Sequence, residues 1–414
     1  MIRHVFRLIW NRKRTNGLMM AEIFVSFLVV FAVAALGVYT ADNWRRPIGF
    51  SYDRIWVVSV DMQQTSDDTW NMAQQETVRQ LMLALREFPE IEASAGTQIA
   101  PYQLGSSNSG YQWRGRHIEY GVAEVTDGFK DLLGLEIVEG RWFSSEDDGQ
   151  AYDPVVINRD MRVDLFGTGP AIGENIASEQ SPDGSAAVRP RRVVGVVAAY
   201  REDGELDGMR NYAIFRKSLG VPVQAEGVRD FARSDRPPRN LLIRVRPGTT
   251  AGFEERLIKR LQAAAPDWSF EVQTLAAMRR SYHRFAFVPL AAVGLVAAFL
   301  MLMVALGLLG VLWQNVTQRT REIGLRRAKG AARVHVQRQI LAEIGAMTSL
   351  AVLAGLIVAV QFPLLDIIYF VEPHVYAISL AIAAAAIYGV ALACAWYPSR
   401  LAMRVEPAEA LRYE

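Results

Sequence analysis

Apolar residues along this chain are not spread evenly but gathered into four long runs separated by polar, charged sequence. The first reads IFVSFLVVFAVAALGVYTA from Ile23 to Ala41, and the second extends from Phe285 to Val316 without a charged residue. The third covers Ile344 to Leu365 and the fourth Val375 to Tyr397, parted by a short break carrying Asp366 and Glu372. A hydrocarbon core about 30 Å thick takes roughly 20 apolar residues as a helix. The runs therefore predict transmembrane helices at 18–41, 285–316, 343–365 and 375–397, the last two joined by a turn at 366–374.

The sequence between the first two runs, 42–284, has the periodicities of a folded domain. Arg54 to Val60 alternates as a strand, Asp67 to Phe88 places Val78, Leu81, Met82 and Leu85 on one helical face, and Ile91 to Ala100 predicts a second strand. A matching unit closes the segment: strand Leu241–Arg246, helix Thr250–Ala265 with Phe253, Leu257, Ile258 and Leu261, and strand Trp268–Val272. Two βαβ halves, at about 52–100 and 240–273, predict a ferredoxin-like α/β layer. Between them, at about 101–238, short strands at 111–114, 118–125, 153–158 and 191–199 alternate with Gly, Asp and Pro, the pattern of an inserted β-rich subdomain. Polar stretches at 178–190 and 221–239 predict loops, and 273–284 a stalk leading into the second run.

Charge assigns the sides of the membrane. Arg3, Arg7, Arg12, Lys13 and Arg14 fill the basic N-terminal segment 1–17, and seven cations from Arg319 to Arg338 fill the connection 317–342. Arg400, Arg404 and Arg412 follow the last run in the tail 398–414, whereas the 366–374 turn carries acids and no Lys or Arg. Cationic loops stay on the cytoplasmic side, so both termini are expected inside a bacterial inner membrane and the 42–284 domain outside it. A cleaved signal peptide is the alternative for the first run, but its apolar stretch is long and Tyr39 would sit where a small residue is preferred.

Composition narrows the chemistry. With 45 basic and 43 acidic residues among 414 the formal net charge is +2, which excludes wholesale nucleic-acid binding, and the one cysteine, Cys394, excludes a disulfide framework. No Gly-Lys-Ser/Thr loop is present, so the chain has no phosphate cradle of that type. His4, His117, His283, His335 and His374 fall on separate segments, and none forms a zinc-binding pair. Asp147 with Asp148 and Glu202 with Asp203 are expected as solvated loop surface. Glu22 is the one ionisable residue at the edge of a run that invites a functional reading.

The most ordered charge pattern follows the second run, in Arg319-Thr-Arg-Glu-Ile-Gly-Leu-Arg-Arg-Ala-Lys-Gly330. As a helix it places Glu322, Arg326 and Lys329 on one face with a favourable Glu-before-Arg spacing, and Gly330 permits a turn. Juxtamembrane cations can also simply pair with anionic lipid. The segment resembles the RTREIGIRRALGA-type signature of MacB/FtsX-like ABC transporter permeases. The closing sequence from Pro398 through Arg400, Pro407, Glu409, Leu411 and Arg412 to Glu414 resembles that family's PARRAARLDPVEALRYE-like tail.

The resemblance implies a non-catalytic permease subunit, an α-helical membrane protein with four spans and a large extracytoplasmic α/β domain. It implies that Arg319, Arg321, Glu322, Ile323, Gly324, Arg326, Arg327, Lys329 and Gly330 meet an ABC ATPase dimer, which binds ATP and magnesium in its own chains. MacB carries its ATPase in the same polypeptide, whereas only the short basic tail precedes the first span here, so the ATPase is expected in trans. Lys329 stands where many relatives have Leu or Val. A second permease copy or related subunit is implied, with a periplasmic adaptor and outer-membrane duct if the cell has two membranes. Efflux is the leading expectation; release of lipoproteins and FtsX-like control of a cell-wall hydrolase remain open beside it.

Overall fold

The computed structural model describes residues 13–62, 72–176, 190–206, 208, 210–219, 237–318, 333–364 and 371–404. It divides into a helical unit, Met1–Asp42 with Ala286–Glu414, and an α/β unit, Asn43–Phe285.

In the α/β unit a ten-stranded sheet runs in the order β10-β1-β9-β2-β4-β8-β6-β7-β5, with β3 paired to β4. Its first four strands are β10 (Ser269–Thr274), β1 (Ile55–Asp61), β9 (Asn240–Val245) and β2 (Ile91–Thr97), all antiparallel. Helix α2 (Met72–Leu85) connects β1 to β2 and α5 (Gly252–Ala264) connects β9 to β10, each crossing one intervening strand, which is the ferredoxin-like split βαβ arrangement.

The period of two in the strands distributes apolar residues between two cores. Ile55 and Val57 of β1 and Leu242 of β9 enter one core, while Val58, Val60, Leu241 and Ile243 enter the other beneath α2 and α5. Leu81 and Leu85 of α2 meet Phe253, Leu257 and Leu261 of α5 in that second core.

The insert does not form a sheet of its own. It comprises β3 (Asn108–Trp113), β4 (Arg116–Val125), β5 (Ile137–Gly140), β6 (Asp153–Asn158), β7 (Arg191–Val197) and β8 (Tyr212–Arg216), with short helices α3 (Phe129–Leu133) and α4 (Arg159–Phe166). Its strands join the same sheet through one β2–β4 pairing, Thr97 opposite Val125. All six residues of β6 are buried, because α4 and the β3–β4 hairpin cover one face and α3 the other. β5, β8, α3 and α4 carry no periodic signal long enough to be read from sequence.

The helical unit contains α1 (Lys13–Arg45), α6 (Leu275–Gln318), α7 (Arg333–Leu364) and α8 (Pro373–Arg404), of which α1 and α6 begin or end in the α/β unit. Four segments of these helices are long and apolar enough to cross a membrane. Each helix outruns its apolar segment: α7 begins inside the expected 317–342 connection, and α8 continues through Pro398 to Arg404, into the expected tail. The stalk is likewise shorter than 273–284, since Gln273 and Thr274 pair with Val57 and Trp56 as the end of β10.

Met19, Ile23, Phe27 and Phe31 form a buried stripe on α1 at i, i+4 spacing. A Cβ placed on Gly355 of α7 would collide with the Phe27 ring, and one on Gly307 of α6 would lie 2.8 Å from Glu22 Oε2. Lipid offers no hydrophobic drive for helix association, so small residues that admit close approach do that work. Glu22 thus lies against a neighbouring helix.

Candidate functional site

Arg319, Arg321, Glu322, Ile323, Gly324, Arg326, Arg327, Lys329 and Gly330 lie outside the described residues, as do Pro407, Glu409, Leu411 and Arg412. Of the expected site only Pro398 and Arg400 are described, both within α8. The Arg400 guanidinium lies 4.8 Å over the Trp396 ring. That is a contact one turn apart on one helix, with no chemistry of its own.

A different set of charged residues is gathered in the α/β unit. The segment Tyr200–Leu206, between β7 and β8, carries Arg201, Glu202 and Glu205, all buried. The Arg201 guanidinium donates from Nη1 to the carbonyls of Asn43 at 3.0 Å and Arg46 at 3.1 Å, and from Nη2 to the carbonyl of Glu205 at 3.3 Å. Its backbone N–H donates to the Ile48 carbonyl at 3.1 Å. The last carbonyls of a helix lack intrahelical donors, and a cation there also meets the negative end of the helix dipole. Arg201 therefore caps the C-terminal end of α1.

Glu205 does the corresponding work on α6. Its Oε1 accepts from Arg279 Nε at 2.8 Å and pairs with Nη2 at 2.7 Å, while its Oε2 accepts from the Tyr102 hydroxyl at 3.0 Å. His283 Nε2 lies 3.2 Å from the same Oε2. An ionised carboxylate only accepts, so Nε2 carries the proton in this contact. Arg279 and His283 are one turn apart and share a face of α6. Leu275, Met278 and Tyr282 of the same stretch pack into the core that holds Phe50, Tyr102 and Tyr200. Thr274 starts the helix, its hydroxyl accepting from the Ala277 N–H at 3.1 Å.

Aromatic contacts close the arrangement. The Trp44 ring is 5.1 Å from the His283 ring, and the Arg279 guanidinium lies over both Trp44, at 5.8 Å, and Tyr52, at 4.7 Å. One seven-residue segment of the insert's connections thus grips the end of α1 and the start of α6.

The electrostatics follow from burial opposed by pairing. Burial raises the pKa of the Glu205 carboxyl, but its hydrogen bonds from Arg279, the backbone and Tyr102 outweigh this and leave it below the ordinary carboxylate value. Burial lowers the His283 pKa; Arg279 lowers it further, and the attraction of Glu205 does not fully offset them. The Tyr102 phenol is raised beyond the ordinary range, first by burial and then by the Glu205 charge. The imidazole is therefore neutral, and the phenol protonated, at neutral pH.

The expectation of solvated surface is overturned for Asp147 and Glu202, which are buried, whereas Asp148 is exposed and Asp203 half-buried. Asp147 is buried in a two-pronged pair with Arg141, at 2.8 and 2.6 Å. Asp148 meets Arg216 Nη1 at 2.5 Å, Asp203 meets Arg210 Nη2 at 3.4 Å, and Glu202 is fully buried. Arg141 and Arg210 lie six and seven positions from their partners and Arg216 lies 68 from Asp148, so reasoning from adjacent residues alone detects none of these pairs. Among the described residues no three His, Cys, Asp or Glu side chains gather closely enough to hold a metal ion.

The family models settle the wider setting. Residues 17–260 match the MacB-like periplasmic core domain, and residues 294–407 match the FtsX-like permease C-terminal. The chain belongs to the MacB/FtsX family of ABC transporter permeases. It is 30% identical over 340 residues to the pyoverdine export ATP-binding/permease protein PvdT of Pseudomonas savastanoi pv. phaseolicola, covering 80% of this chain and 47% of that protein. It is 25% identical to the macrolide export ATP-binding/permease protein MacB 1/2 of Paracoccus denitrificans, over 70% of this chain and 42% of that protein. The chain thus spans about half the length of these relatives. It covers 70% of the uncharacterized ABC transporter permease YvrN of Bacillus subtilis, at 24% identity. The crystal structure of the periplasmic region of MacB from Actinobacillus actinomycetemcomitans aligns with 58% of this MacB/FtsX-type permease and 98% of its own chain, at 12% identity and a TM-score of 0.37.

Proposed function

We propose that this permease converts ATP hydrolysis by a partner ATPase into motion of its MacB-like domain, driving export of a small secreted compound. The observation that carries the reading is the grip of the Tyr200–Leu206 segment on α1 and α6. A helix movement at either end reaches the insert through Arg201 and Glu205 rather than dissipating in a flexible linker. In this reading the ATPase dimer, which holds ATP and magnesium, docks on Arg319–Gly330, and two permease chains act together.

The relatives' names support a cargo class: PvdT and MacB are named for pyoverdine and macrolide export. We infer a peptidic or macrocyclic product of comparable size, passed on through an adaptor and outer-membrane duct. Affinity purification of the chain from its native membranes, with mass spectrometry of the bound proteins, tests the proposal. Recovery of an ABC ATPase is the expected result. Recovery of a cell-wall hydrolase in its place would replace export with regulation.

A further inference from the structure

The helical unit contains a cavity of about 460 Å³ that the export reading does not use. On α1 its wall runs from Leu28 through Phe31 and Ala35 to Tyr39; Phe362 of α7 and Tyr376 of α8 face these. The Phe31 and Tyr376 rings stack with centroids 6.4 Å apart and close one side. Among the described residues no charged side chain lines the space.

Its depth is that of one lipid tail. Eleven residues separate Leu28 from Tyr39, and at 1.5 Å per residue the wall is about 16 Å long. Half of a hydrocarbon core about 30 Å thick is about 15 Å. The wall ends with Tyr39 at the level where α8 begins and α7 ends, which the charge pattern assigns to the outer face. An apolar void of this size opening on hydrocarbon is filled by hydrocarbon, since water finds no polar partners in it.

Charge at the outer end narrows the head group. His374 Nε2 lies 3.5 Å from Asp42 Oδ2 and its Nδ1 lies 3.2 Å from Glu372 Oε2. Asp42 follows Tyr39 by three residues on the same helical face, and Glu372 adjoins Val371 of the cavity wall. Two carboxylates around one imidazole complement an ammonium group and oppose an additional anion.

We propose that the cavity between α1, α7 and α8 is a phospholipid site that takes one acyl chain of an outer-leaflet phosphatidylethanolamine, its ammonium facing Asp42 and Glu372. The site is independent of what the permease exports. The exposed face of α6, with Leu295, Phe299 and Leu302, serves as the comparison surface.

The test uses the full chain in nanodiscs containing a trace of phosphatidylethanolamine with a photoactivatable group on its tail, with crosslinked peptides mapped by mass spectrometry. Labelling is expected to concentrate on 28–39 and 358–362 and to be displaced by unlabelled phosphatidylethanolamine about tenfold better than by phosphatidylglycerol. Ala35→Trp, which fills the space, should reduce that labelling by about tenfold and leave the α6 face labelled as before. Uniform labelling of α6 and α1 in the unmodified chain would overturn the site without reference to any variant. Equal displacement by phosphatidylglycerol would overturn the head-group assignment.

Discussion

Glu205 and Arg279, 74 positions apart, meet through two contacts at 2.7 and 2.8 Å and fix the start of α6 to the loop that also caps α1. Both side chains are mostly withdrawn from solvent, at 10% and 22% exposure, so the pair is worth more than a surface ion pair. Glu205→Gln keeps the shape but loses the charge opposite Arg279. The variant should lose about 1.5–3 kcal/mol of stability, read as a lowered thermal midpoint of the detergent-purified chain. An unchanged midpoint would show that the pair contributes nothing.

Arg201→Met keeps an apolar stem in the buried position and removes every guanidinium donor. The carbonyls of Asn43 and Arg46 then lose their buried partner, and the last turn of α1 should fray. Hydrogen exchange at residues 43–48 should quicken about tenfold, with the distant β1–β10 pairing unaffected. Equal acceleration in both places would indicate global loosening.

Acid should loosen this site in two steps. The folded-state pKa of His283 lies below its ordinary value near 6.5, so between those two values the unfolded chain binds more protons. Its stabilising effect is complete above about 6.5 and declines as the pH falls toward the folded-state pKa. Glu205, also lowered, adds a second loss below the ordinary carboxylate range near 4.5. His283→Gln should remove the first decline and retain the second in melting curves taken across pH. Persistence of the first decline in that variant would assign it elsewhere.

Proline distinguishes the stalk's first turn from its interior. At Ala276, two residues after the Thr274 cap, the backbone N–H has no intrahelical acceptor, and proline should be tolerated. At exposed Arg280 it removes a hydrogen bond to Ala276 and should cost about 3 kcal/mol and break the stalk. Circular dichroism and ATP-driven export should separate the two variants. Equal behaviour would argue against a rigid stalk.

Glu322→Lys with Arg326→Glu reverses the expected docking pattern while leaving all four apolar runs intact. Membrane insertion should persist and association with the ATPase should fall about tenfold in co-purification. Unchanged association would move the docking site away from Arg319–Gly330.

Periodic elements were legible in the sequence. Val58 and Val60, and Phe253, Leu257 and Leu261, declare their strand and helix because each buries one regular face. The four apolar runs are legible for the same reason, on the scale of a bilayer. β5, with four residues, and β8, with five, offer too little sequence for a period to register. The grip on α1 and α6 was illegible for another reason. Glu205 meets Tyr102 across 103 positions and Arg279 across 74, and nothing near Glu202-Asp203-Gly204-Glu205 distinguishes it from a solvated acidic loop. Only the sheet topology, which returns the chain from β7 past the start of α6, brings these partners together.

The most direct test is export measured against ATP hydrolysis in the same proteoliposomes, holding this permease with the ATPase that co-purifies with it. For Glu205→Gln the account predicts continued hydrolysis with cargo exported per ATP reduced about tenfold, because the motor turns without its grip on the outer domain. A folded Glu205→Gln permease that exports as much per ATP as the unmodified chain would contradict it.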